Sequence, residues 1–462
     1  MPARHLDVWI DGFGVPVGRL IPTGGLSISF EYAAAYLSLP TAIPISARMP
    51  LRSIGFTDRE TRAFFDNLLP EGEPRAAVAA KNGIDTGDVI GLLSILGADA
   101  PGAVSVLPAG SPPVKSPGDL HSDYDELSQN ELEEIIQAVS QGRSPGEKLR
   151  FSLPGVQAKV AIARNDAGRF LRPREGAPTT HIIKAERRSD REHGIVANEA
   201  LCLGIFRQFG IETVKAERIT IGETSCLLVE RYDRATVTGS GSIRRLHQED
   251  AAQALGLDRH LKYEADATKA GRNGGFDALF GEFARACQPS VDARDTLFKA
   301  AVLNWLLGNS DAHLKNFSIV YSPQRRMDGL TILPQRRLAP IYDVVSVAVF
   351  PKVSRNLAMR LGSAETWDGV DRASWETIAE LAYGKRSKSS KTRAIEQVRI
   401  FASRILDAID EIVASGLVTR QEAKPIRDVV GERIRQLNST MGWIIPAETD
   451  VAITRAGGRA LS

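Results

Sequence analysis

The stretch NWLLGNSDAHLKNF (304–317) sets Asn309, Asp311, His313, Lys315 and Asn316 between two apolar runs, VLNWLL and FSIVY. Ionisable side chains are costly to hold between segments that bury themselves, so their concentration here calls for a chemical reason. Phosphoryl transfer supplies one. It needs a carboxylate beside the acceptor hydroxyl, an amide and a second carboxylate for Mg²⁺, a lysine for the nucleotide phosphates and a glycine loop to cover them. Asp311 and Asn316 stand five residues apart, the spacing such an acid and such an amide require. PIYDVVS follows an intervening hairpin and supplies Asp343 as the second carboxylate. Each piece alone is common in turns and caps, and Asp-x4-Asn arises by chance in many chains.

The order of the other parts adds weight. SLPGVQAK (152–159) is a glycine-containing loop, with Ser152, Gly155, Val156, Gln157, Ala158 and Lys159, that runs into a strand. Lys184 lies in the next apolar strand, HIIKAE, beside Ile182 and Ile183. A lysine so placed usually snorkels to water; the alternative is the strand lysine of a kinase. The following helix carries Asn198 and Glu199, either of which could pair with it. ERYDR (230–234) ends the last strand of the run, where a kinase hinge receives adenine through backbone groups, so Glu230 and Tyr232 are candidate nucleotide contacts.

The elements that must position these residues are legible in outline. Residues 5–30 alternate apolar and polar with glycine turns, the pattern of strands and hairpins. FTDRETRAFFDNLLPEG reads as a helix capped at Thr57 or Asp58 and stopped by Pro70 and Gly72. GDVIGLLSILG (87–97) is a second helix, and LSQNELEEIIQAVSQG (127–142) a third, with Ser128 placed to cap Glu131. PAGSPPVKSPGDL (108–120) reads as a linker. Residues 150–234 read as strand, strand, strand, helix, strand, strand, and helical periodicity dominates from about 246 onward. The short basic run KRSKSSKTR (385–393) reads as a solvated loop. Three parts are expected: 1–145 mixed α/β, 146–245 nucleotide-binding, and 246–462 helical with the catalytic and metal loops.

Composition narrows the class. A chain of 462 residues exceeds one ordinary core, and 43% apolar with 25% charged residues is the balance of a soluble globular protein. The net charge, 58 − 56 = +2, makes no case for nucleic acid as a direct partner. Cys202, Cys226 and Cys287 are scattered, which suits a reducing compartment and argues against a thiolate zinc site. No apolar run reaches the length of a membrane span. The start, MPARHLDVWIDG, lacks the parts of a signal peptide, so a cytoplasmic protein is expected.

Taken together, the motifs resemble the HipA family of serine/threonine kinases, the toxin halves of bacterial toxin–antitoxin pairs. FFDNLLPEGEPR (64–75) and GADAPGAV (97–104) match its amino-terminal part. FSLPGVQAK, THIIK, NEALCL, VERYDR, RLHQEDAAQALGL, GNSDAHLKNF and YDVVS match its kinase part. The resemblance implies an α+β, protein-kinase-like fold of HipA type, with a mixed α/β amino-terminal subdomain and an all-α carboxy-terminal lobe. It implies ATP and Mg²⁺ as cofactors, with Asp311 taking or orienting the hydroxyl proton, Asn316 and Asp343 as metal ligands, and Lys184 on the α/β-phosphates. By resemblance His313 contacts the nucleotide or its γ-phosphate, or else makes a supporting hydrogen bond, and Gln248 lies near the nucleotide or serves a structural bond. Lys315 either neutralises phosphate charge or faces solvent.

Ser152 matches the family's autophosphorylation site, where a phosphate of about −1.5 to −2 charge would repel the nucleotide and switch the enzyme off. One departure stands in the same loop: the family often carries an acidic residue where this chain has Ala158. The implied partners are a HipB-like DNA-binding antitoxin, which would make most DNA contacts, and a translation-related protein substrate, an aminoacyl-tRNA synthetase, whose phosphorylation inhibits growth. Two other readings compete: a small-molecule phosphotransferase, and a co-repressor that binds its antitoxin with little catalysis.

Overall fold

The computed structural model describes residues 5–143, 159–174, 176–187, 194–237, 241–325, 332–351, 353–384 and 388–448. The chain divides into two compact units: residues 1–196, 213–295 and 313–342 form the first, and residues 197–212, 296–312 and 343–462 the second.

In unit one, β1 (Leu6–Ile10), β2 (Gly18–Gly24), β3 (Ser27–Tyr32) and β4 (Val104–Pro108) form an antiparallel sheet in the order β3-β2-β1-β4. The alternation seen in the sequence buries Val8, Ile10, Leu20, Ile28 and Phe30. Helix Asp58–Phe65 begins as expected, with Thr57 and Glu60 forming a reciprocal capping box. The segment expected to be a linker is mostly exposed but is anchored at one side chain. Lys115 is buried, and its ammonium donates to the carbonyls of Ala100, Gly102 and Val104 at 2.8, 3.4 and 2.6 Å. Proline and glycine reveal that a segment forms no regular element; they do not reveal that a long side chain within it satisfies three carbonyls.

The second sheet is antiparallel throughout, with β5 (Tyr124–Glu126), β6 (Lys159–Arg164), β7 (Phe170–Pro173), β8 (His181–Ala185), β9 (Ala216–Ile221) and β10 (Thr224–Glu230) in the order β5-β7-β6-β8-β10-β9. It draws on elements from both sides of residue 145. Helix Gln129–Ser140, capped by Ser128 and Glu131, lays Leu132, Ile135, Ile136 and Val139 on Val160, Ile162, Ile183 and Leu228. Each such side chain contributes about 2 kcal/mol on burial, which is enough to fix the face that β8 turns inward. The strands β11 (Arg234–Thr236) and β12 (Ile243–Arg245) pair next. The unit closes with β13 (Gln248–Asp250), β14 (Ser318–Arg325) and β15 (Ile332–Leu338) in a three-stranded sheet.

Unit two is built on helices Arg372–Tyr383, Lys388–Ala414 and Arg420–Met441, with the carboxy-terminal turns of Ile195–Gln208 and Ser290–Leu306. Trp305 and Trp375 are fully buried and meet edge to face, 5.4 Å between centroids. The carboxy-terminal part expected to be all α, residues 246–462, holds β13–β15 of unit one as well as the hairpin of β16 (Asn356–Leu361) with β17 (Ala364–Thr366) here. The basic run expected as a loop enters helix Lys388–Ala414, where Lys391 reaches Glu380 on the preceding helix at 2.5 Å; residues 385–387 of that run lie outside the described residues. Among the described residues, no helix is long and apolar enough to cross a membrane.

Candidate active site

The turn after helix Ser290–Leu306 answers for its own polarity. Asn309 donates its side-chain amide to Asn304 Oδ1 (2.9 Å) and its backbone N–H to the Asn304 carbonyl (2.8 Å). Its Oδ1 accepts the backbone N–H of Asp311 (3.2 Å). The Ser310 carbonyl accepts the N–H of Ala358 (3.0 Å) and its hydroxyl donates to the Ser354 carbonyl (3.3 Å). Asn309 and Ser310 are thereby buried without loss, while the Asp311 carboxylate stands exposed at the turn's tip. Gly308 allows this path. Its φ is +67°, and a Cβ there would come within 2.6 Å of the Ala348 Cβ, so the turn is packed directly on the segment after Asp343.

Asp343 is also exposed and, among the described residues, is the one non-glycine with a positive φ, 57°. Such a backbone costs about 1–3 kcal/mol and persists where its surroundings impose it. The surroundings here include Asn198, whose side chain pairs with the backbone of Ser346 in both directions. The Asn198 amide is thereby committed to Ser346. Glu199, on the same helix, is buried.

In unit one, Lys184 is buried on β8, opposite Lys159 of β6 and Leu227 of β10. Side chains directly opposed across strands lie on one face. Ile183 and Ala185 face the helix-covered core, so Lys184 and Lys159 share the other face. Lys159 is the last residue of the expected glycine loop; Ser152, Gly155, Val156, Gln157 and Ala158 lie outside the described residues. At the end of β8, Glu186 accepts the N–H groups of Gly194, Ile195 and Val196 (2.7, 3.2 and 3.1 Å) and so caps helix Ile195–Gln208.

The segment after β10 is knit by charge. Asp233 takes Nε and Nη2 of Arg231 (3.0 and 2.8 Å) and Arg234 (3.0 Å). The Asp233 carboxyl is strongly buried, yet these guanidinium groups hold it ionised well below the usual carboxylate range. The N–H groups of Glu230 and Arg231 are bound to the carbonyls of Lys215 and Thr180 (2.8 and 2.9 Å). The Glu230 side chain is exposed and paired with Lys215. Tyr232 stacks on Tyr342 (centroids 5.6 Å, interplanar 19°), and its hydroxyl donates to Gln248 on β13. Gly102, with φ +66°, lets the GADAPGAV segment lie against this glutamine; a Cβ there would come within 2.8 Å of the Gln248 Cγ.

His313 is buried edge-on to Tyr263 (5.2 Å, 77°). Neither role expected for Lys315 is the one it plays. It is buried, and its ammonium pairs with Glu71 at 3.0 Å. Burial would raise the Glu71 pKa, but Lys315 and Lys262 outweigh it and hold the carboxyl at about 2. The Lys315 carbonyl accepts the Tyr342 hydroxyl at 2.8 Å. The residue before Asn316 is thus bonded to the residue before Asp343. Sequence reasoning missed Glu71, Asn67 and Tyr342; the only signal for the first two was the FFDNLLPEG motif itself.

Among the described residues no three His, Cys, Asp or Glu side chains cluster as a metal site. Mg²⁺ bound with a nucleotide takes one or two carboxylates and completes its shell with phosphate oxygens and water, and an amide oxygen with a carboxylate suits so hard an ion.

Comparison with known proteins gives a consistent result. A family model described as HipA-like C-terminal domain matches residues 151–409, and one described as HipA N-terminal domain matches residues 6–107. Y4mE of Sinorhizobium fredii, which carries a provisional kinase name, is 33% identical over 83% of this chain and 86% of its own. The serine/threonine-protein kinase toxin HipA of Shewanella oneidensis is 29% identical over 81% of this chain and 82% of its own. The fold matches a HipA chain solved in complex with HipB and operator DNA from Shewanella oneidensis (TM-score 0.73, 22% identity, covering 95% of this chain and 98% of that one).

Proposed function

Since this chain belongs to the HipA family of kinases, we propose that it is an ATP- and Mg²⁺-dependent protein serine/threonine kinase acting as the toxin of a toxin–antitoxin pair. The observation that carries the chemistry is the rung of Lys159 and Lys184. It sets two ammonium groups side by side on one face of the sheet, and a nucleotide's phosphates laid over that face would meet both.

In this reading Lys184 and Lys159 hold the phosphates, while Gln248, Tyr232 and the backbone after Glu230 receive the base. His313 orients the nucleotide. Asn316 and Asp343 hold Mg²⁺, which supplies charge neutralisation on the transferred phosphoryl group. Asp311 accepts the proton of the substrate hydroxyl, a transfer that comes late in a loose transition state. Ser152 is the autophosphorylation site and off-switch. The substrate is a translation-related protein, an aminoacyl-tRNA synthetase, and the partner a HipB-like antitoxin that supplies the DNA contacts; the HipA chain to which the fold is similar was solved with HipB and operator DNA.

The test is incubation of the purified chain with γ-labelled MgATP, followed by mass spectrometry. Phosphate on Ser152 is the expected result. Absence of self-labelling, of labelled protein in a lysate and of ATP binding would overturn the kinase reading. Labelling of an aminoglycoside or choline but of no protein would favour a small-molecule phosphotransferase.

A further inference from the structure

We propose that Glu71 and Asn67 are positioning residues for the catalytic turn, acting on it through Lys315; the proposal rests on the kinase reading of that turn. Lys315 lies within it, flanked by His313 and Asn316. Its ammonium sits 3.0 Å from Glu71 Oε1, 2.9 Å from Asn67 Oδ1 and 3.3 Å from the Asn67 carbonyl, with Asp250 Oδ2 at 3.6 Å.

Both anchors are themselves fixed. Asn67 is buried, and its amide donates to the carbonyls of Ala63 and Leu257 (2.8 and 2.9 Å). Glu71 occupies the cap position of helix Gly72–Asn82 but makes no cap bond. A carboxylate there would ordinarily bind the helix's own N–H groups; this one is turned to lysines instead. Its second oxygen takes Lys262 at 2.9 Å, and the Lys262 carbonyl accepts the Leu314 N–H at 3.2 Å. The turn is therefore held in a closed ring: Lys315 to Glu71, Glu71 to Lys262, and Lys262 back to Leu314.

A buried ion pair adds little net stability over an apolar pair of the same volume. What this one does fix is the direction of residues 314–316, and with them the Asn316 amide. The FFDNLLPEG segment thereby acts on the chemistry although it holds no reacting group.

The test compares the full chain with Glu71→Gln, Lys315→Met and the double variant. Three quantities are read: the single-turnover rate of self-labelling at saturating MgATP, the half-saturating ATP concentration, and amide hydrogen exchange across residues 311–317. Glu71→Gln should lower the rate about 10- to 100-fold while half-saturation moves less than about twofold. Exchange in the turn should quicken roughly tenfold. The double variant should be no slower than the slower single one, as expected of residues that act through each other. Unchanged exchange in both single variants overturns the clamp. So do rate losses that multiply, or a lowered Tm with an intact rate. A wild type that transfers no phosphate overturns the kinase reading instead, and exchange in the turn still decides the clamp.

Discussion

The side-chain amide of Asn198 and the backbone of Ser346 form a two-way pair, Nδ2 donating to the carbonyl at 3.0 Å and Oδ1 accepting the N–H at 2.8 Å. Both residues are buried. An asparagine on helix Ile195–Gln208 thus replaces a strand neighbour for the segment after Asp343, and it helps hold that residue at its positive φ. Asn198→Ala would leave two buried backbone groups without partners, at a cost of about 3 kcal/mol. Thermal unfolding should show a Tm several degrees lower. Asn198→Asp should be at least as harmful, because a carboxylate oxygen would then face the Ser346 carbonyl.

Asp311 is an exposed residue of a turn in which Asn309 bonds both Asn304 and the Asp311 backbone N–H. Asp311→Asn keeps the turn's shape and removes the proposed proton acceptor. Phosphate transfer should fall by about 10²- to 10⁴-fold, with ATP affinity and Tm close to wild type. A fully active variant would remove Asp311 from the role of base.

Glu249, between Gln248 and Asp250 on β13, should make the protein's stability pH-dependent. Burial pushes its carboxyl up to about 7, against partial relief from bonds with the Ala47 N–H (2.9 Å) and the Tyr321 hydroxyl (2.8 Å). A folded pKa above the unfolded value means its stabilisation is full below about pH 4.5 and is lost as pH rises through 7, a loss on the order of 3 kcal/mol. Glu249→Gln keeps an oxygen for both donors and does not titrate. The Tm of the variant relative to wild type should climb between pH 5 and 8 and then level off. A difference that is flat with pH would contradict the assignment.

Lys115 holds three buried carbonyls from a segment that composition marks as a spacer. Lys115→Met keeps the stem's volume and removes the donors. Loss of about 3 kcal/mol is expected from the stranded acceptors, read as a lower urea midpoint at unchanged m-value. A true linker residue would show no effect.

The amino-acid sequence by itself determined much of this protein, for a physical reason. Strand alternation, helix caps such as Thr57 with Glu60 and Ser128 with Glu131, and the Asp-x4-Asn spacing are local patterns. They depend on residues a few positions apart, so they survive reading along the chain. The kinase-like order of strand lysine, hinge, catalytic turn and metal loop is of the same kind. Long-range partners are not. Asn198 is legible only as a polar residue on a helix; its partner Ser346 lies 148 residues away. Lys315 could face phosphate or solvent until Glu71 and Asn67 closed on it from the far end of the chain. Lys159 and Lys184 became a pair only when the register of β6 and β8 set them on one rung. A buried polar group must find a partner somewhere, but its own residue type does not say where. Only the tertiary fold decided which carboxylate, amide or carbonyl came within reach.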